Sequence, residues 1–132
     1  MTEEMVSKMF KIAEHLRELN SAQKVKRFGN DKGHAKVFQI RPGCSVWTHH
    51  LKNNRLIIDL MITRSARQRY PEVAMISVDM FKEFFHDKVD FERWHRHIDD
   101  LEAERYFVDI GEDTLEDIFK TLDKIKDRFS KI

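Results

Sequence analysis

The sequence predicts an α+β fold: an antiparallel sheet of three to five strands with N-terminal and C-terminal helices packed on it. Three observations carry this expectation. Apolar residues recur at helical spacing near both ends, three central segments alternate with a period of two, and turn-forming pairs separate those segments. At 132 residues, with 41% hydrophobic side chains and ten Phe, the chain suits one compact domain over 1–132.

The first helix is expected over residues 3–19, where Met5, Met9, Ile12, Ala13 and Leu16 form an apolar stripe. Asn20 and Ser21 end it, and a short basic strand over 25–28 precedes a loop containing Gly29 and Gly33. Residues 34–41, 44–51 and 55–63 then read as three antiparallel strands, joined at Pro42-Gly43 and Asn53-Asn54. Pairing Leu51 with Leu56 sets Trp47 against Leu60 and His49 against Ile58. Pairing Phe38 with Trp47 completes a core face of Phe38, Ile40, Trp47, Leu51, Leu56, Ile58, Leu60 and Ile62. The opposite face then holds Val37, Gln39, Arg41, Cys44, Val46, Thr48, His50, Arg55, Ile57, Asp59 and Met61. It is too apolar to be bare, so a late helix or a second subunit is expected to cover Val37, Val46, His50, Ile57 and Met61.

Downstream, residues 73–78 read as a strand. A helix capped by Asp79 runs over 80–86, and a second helix, capped by Asp90, presents Phe91, Trp94, Ile98 and Leu101. Residues 105–110 form a short strand. The last helix starts at Asp113 with Glu116 in the capping-box position and buries Leu115, Ile118, Phe119, Leu122, Ile125 and Phe129.

Charge is divided along the chain. Residues 1–70 hold 14 Lys/Arg against 6 Asp/Glu and residues 71–132 hold 10 against 17, so the net +1 conceals halves of +8 and −7. Such a division steers an anionic partner to one half or lets two copies place opposite signs together. No stretch approaches 18 apolar residues, the first residues lack the apolar run of a signal peptide, and Cys44 stands alone. The expectation is a cytoplasmic protein without membrane contact, disulfide or thiolate metal cluster.

Reactive residue types are present without a pattern that fixes a reaction. His95 and His97 point apart on the expected helix, and His95 with Asp99 makes a surface pair rather than a metal site. Cys44, His50 and Asp59 share the expected mixed face, but six residues of strand separate Cys44 from His50, roughly 20 Å. The glycines sit in turns and form no phosphate loop. No catalytic residue, metal or cofactor is therefore assigned. Basic residues form the clearest ligand signal: Lys24, Lys26, Arg27, Lys32 and Lys36 around the first hairpin, and Arg64, Arg67 and Arg69 after the third strand. Together they suit phosphate contacts, with Trp47 a poor stacking platform because its expected neighbours are aliphatic.

The leading expectation is a small non-enzymatic binding or assembly protein of adaptor or regulator type. It acts through the mixed sheet face and basic N-terminal half, by self-association or with a protein partner. Nucleic-acid binding through the basic residues is the alternative, and a small hydrolase or nuclease the second.

Overall fold

A computed structural model describes residues 3–19, 28, 33–52 and 55–132. The elements follow in the order α1 (Glu3–Leu19), β1 (Gly33–Arg41), β2 (Cys44–Leu51), β3 (Arg55–Thr63), α2 (Arg64–Arg69), α3 (Pro71–Phe85), β4 (Asp90–Arg96), β5 (Leu101–Asp109) and α4 (Leu115–Phe129). The five strands form one antiparallel sheet in the order β1-β2-β3-β5-β4, with α1 and α4 packed on it. The expected strand over 25–28 lies outside the described residues except for Phe28, a buried turn residue.

The terminal helices follow their apolar stripes. Met9, Ile12, Ala13 and Leu16 of α1 and Ile118, Leu122, Ile125 and Phe129 of α4 are buried in one core. His15 stacks on Phe119 at 4.3 Å and its Nε2 meets Asp123 Oδ1 at 2.7 Å, which joins the two helices. Thr114, rather than Asp113, caps α4: its hydroxyl accepts from Asp117 N at 3.2 Å.

Both hairpin registers differ from the expected ones. The β2–β3 ladder closes at Leu51–Arg55 rather than Leu51–Leu56, and the expected Asn53-Asn54 turn itself lies outside the described residues. This one-residue slip pairs Val46 with Leu60 and Trp47 with Asp59, and it turns β2 over. At the first hairpin, Arg41 pairs with Cys44 across Pro42-Gly43. Two bulges on β1 then shift the register until Lys36, not Phe38, faces Trp47. Trp47 and Leu51 consequently leave the expected core face, while Leu56, Ile58, Leu60 and Ile62 remain on it.

Two expected segments change type. Residues 73–78 are helical within α3, because Pro71 opens a helix whose Ala74, Ser77, Val78 and Phe81 recur at helical spacing and are buried. The helix expected after Asp90 is instead the β4–β5 hairpin. Phe91 pairs with Tyr106 and Trp94 with Ala103, so the two aromatics point to opposite sides, and Ile98 lies in the exposed turn. The apolar spacing in this segment mimics a helix, but the nine-residue β5 offers a full ladder to its partner.

Candidate functional site

The register sorts the strand side chains onto two sides of the sheet. Ala35, Val37, Val46, Leu56, Ile58, Leu60, Ile62 and Val108 lie in the core with residues of α1, α3 and α4. Trp47, His49, Ile57, Asp59, Met61, Arg105 and Phe107 occupy the other side, on which no described helix packs. The five residues expected to form an interface are thereby divided. Val37, Val46 and His50 are buried on the helix side, whereas Ile57 and Met61 lie on the other side, where Ile57 is also buried and Met61 is partly exposed. A single surface of those five does not exist in this fold.

A carboxylate sits at the centre of the open side. Asp59 interrupts the apolar run of β3 and is fully buried, as is Ile57 beside it, whereas Trp47, His49, Met61, Arg105 and Phe107 around them are partly exposed. Arg105 Nε donates to Asp59 Oδ2 at 2.5 Å, and a terminal nitrogen of the same guanidinium donates to Glu92 at 2.6 Å. Arg105 also lies over the Phe107 ring at 4.9 Å. Burial disfavours its charged form, but the hydrogen bonds to Asp59 and Glu92 prevail and hold its pKa above the ordinary value. His49 Nε2 is 3.0 Å from Asp59 Oδ2, without the alignment of a hydrogen bond. Asp59 is thus ion-paired within the face by Arg105 of β5 and acts as a fixed anchor.

Around this anchor the face is aromatic. The Trp47 ring lies 6.3 Å from that of His49 and 6.2 Å from that of His34, with Lys36 Nζ 5.0 Å from its centroid. The expected aliphatic surroundings of Trp47 are therefore replaced by rings and a cation. Four ladder pairings place Lys36, Trp47, Asp59, Phe107 and Asp90 in one row across all five strands. Lys36 donates to Gln39 at 2.9 Å; neither Lys36 nor Asp90 has a salt bridge among the described residues.

The expected trio of Cys44, His50 and Asp59 is split between the two sides of the sheet. Cys44 is buried against α3, its Sγ 3.8 Å from Ser77 Oγ. The expected His95–Asp99 pair does not form. His95 Nε2 meets Asp100 Oδ1 at 2.7 Å, while Asp99 accepts from Arg96 within the hairpin.

Of the basic set, Lys24, Lys26, Arg27 and Lys32 lie outside the described residues. Arg64 and Arg67 line a hollow of about 500 Å³ between α2 and the β4–β5 hairpin, together with Gln68, Arg93 and His95. Acidic residues of β5 enter the same hollow: Arg67 meets Glu104 at 2.6 Å and Arg64 meets Glu102 at 3.5 Å. Arg69 points elsewhere, over the Tyr70 ring. The basic group after β3 is therefore largely paired with the acidic half of the same chain. Lys36 is separated from it by the sheet and belongs to the Trp47 row.

The buried Asp59 was legible as an anomaly in β3, but its partner was not, because Arg105 comes from a strand 46 residues away. No family model matches this chain, and no curated protein or solved structure matches it, so the geometry of the open face carries its functional reading.

Proposed function

We propose that this chain is a small non-enzymatic binding or assembly protein and that the open sheet face is its working surface. One observation carries the reading: aromatic and apolar side chains surround a buried, neutralised Asp59 on a face that no described helix covers. A solvated sheet face would expose charged or hydroxyl side chains at the positions of Trp47, Met61 and Phe107. The Arg105 fork fixes the strand positions beneath them, so the surface is pre-organised and little ordering opposes binding. The pairing of Arg64 and Arg67 with Glu102 and Glu104 leaves less free positive charge for phosphate contacts, which favours a protein partner over nucleic acid.

Residue-resolved oxidative footprinting of the dilute chain tests this reading. Trp47 and Met61 should oxidise readily in the isolated folded chain, and far faster than core Met9. Protection of both to the level of Met9 at high dilution would show the face covered within the chain and would overturn the reading.

A further inference from the structure

The row through Asp59 has a property that identifies a partner. Read from β1 to β4 it runs Lys36, Trp47, Asp59, Phe107, Asp90: a cation, an aromatic ring, the neutralised anchor, an aromatic ring, an anion. β3 is the middle strand of the five. A two-fold axis lying over β3 and parallel to it exchanges the two ends of the row. Lys36 of one copy then lies over Asp90 of the other, Trp47 over Phe107, and Asp59 over Asp59.

We propose that the occupant of the open face is a second copy of this chain, held by this self-complementary row. The proposal rests on the open-face reading and specifies the partner. Three observations converge on it. Neither Lys36 nor Asp90 has a salt bridge among the described residues, so both remain available to a partner. Asp59 is the group that would repel its own copy at the axis, and Arg105 already neutralises it from within the chain. The neighbouring row brings the partly exposed Met61 to the axis, where it meets its own apolar counterpart, and Ile57 lies buried beneath the axis on the other side of Asp59.

The dimensions agree. Five strands about 4.8 Å apart and seven to nine residues long present roughly 600 Å² per copy, or roughly 1,200 Å² for the pair. That lies at the lower end for a stable interface, about 1,200–2,000 Å². Twisted sheets stack at about −30°, which offsets the row ends by roughly 5 Å, within reach of a lysine side chain. An isologous contact of this kind closes on itself and adds no further copies.

The test is a charge exchange. Wild-type protein in analytical ultracentrifugation should show a dimer of the 15.9 kDa chain at micromolar concentration. Lys36→Glu faces Asp90 with a like charge, and Asp90→Lys does the same to Lys36, so each variant alone should dimerise at least about tenfold more weakly. An equimolar mixture of the two restores one pair as in the wild type and the other with reversed sign, and should recover a heterodimer of near wild-type affinity. Circular dichroism and a urea melt check that each variant is folded. Should either fail to fold, Lys36→Gln and Asp90→Asn replace them, and each must still weaken the dimer. A wild-type chain that stays monomeric to about 100 μM overturns the proposal, as does a dimer indifferent to the exchange. Footprinting separates the two failures: a monomer with accessible Trp47 discards the second copy and keeps the binding face, and a protected Trp47 discards both.

Discussion

Asp59 and Arg105, 46 residues apart in sequence, form an ion pair at 2.5 Å whose carboxylate is fully buried on the sheet side that no described helix covers. The carboxylate gives up its hydration on this face, and Arg105 repays that loss because it is also held by Glu92 and Phe107. Asp59→Asn leaves the half-buried guanidinium without its main counter-charge and is expected to destabilise the fold by about 2–4 kcal/mol. Pairing it with Arg105→Met removes the orphaned charge and should recover part of that loss. Urea melts of the two single variants and the double variant measure the coupling. Additive losses would show that the pair is not a unit.

Placement of Trp47 on the open side and Leu60 in the core predicts opposite sensitivities. Leu60→Ala opens a cavity beneath the helices and should reduce stability by about 2–5 kcal/mol. Trp47→Ala removes a half-exposed ring from the open face and should cost about 1–2 kcal/mol in the monomer. Thermal melts at concentrations too low for association decide between them. A larger loss for Trp47 would restore the register expected from the sequence.

Burial pushes the Cys44 thiol above its ordinary pKa, against the smaller opposing effects of Ser77, Arg67 and Arg41. The folded state thus holds the thiol proton more tightly than the unfolded chain does. Its contribution is intact below the unfolded pKa of about 8.5 and is lost as pH rises through the higher folded value. Stability of the wild type should therefore fall more steeply than that of Cys44→Ala above about pH 8.5. Parallel slopes in denaturant melts across that range would refute the assignment. Thiol reagents should react with Cys44 only as the fold opens.

Gly43 holds the first hairpin at φ +80°, and a Cβ there would collide with the Thr63 hydroxyl that caps α2. Gly43→Ala combines backbone strain with that clash and is expected to destabilise by more than about 1 kcal/mol. Thr63→Ala relieves only the clash, so a double variant should recover a fraction of the loss in the same melts.

The sequence reading succeeded where the physics is local. The stripe of Met9, Ile12 and Leu16, the stripe of Ile118, Leu122 and Ile125, and the alternation of β3 each follow from one element's own periodicity. It failed where two strands had to be aligned. CSVWTHHL offers plausible core residues on both faces, Trp47 on one and Val46 on the other, so alternation cannot choose between them. The choice shows in the ladder end at Leu51–Arg55 and the two β1 bulges, which displace the large ring and admit Val46 and Thr48. Thr48 is tolerated there because its hydroxyl donates to Ala35 O at 3.1 Å. That same error concealed the candidate site. With β2 turned over, Trp47 leaves its aliphatic neighbours and joins Lys36, His49 and Asp59.

The open face as a binding surface depends on that β2–β3 register, and cross-strand nuclear Overhauser contacts in the isolated chain measure it directly. Backbone contacts should pair Trp47 with Asp59 and Val46 with Leu60, and a second set across β5 should pair Asp59 with Phe107. Contacts pairing Trp47 with Leu60 would return the indole to the helix side, dissolve the row through Asp59 and contradict the account.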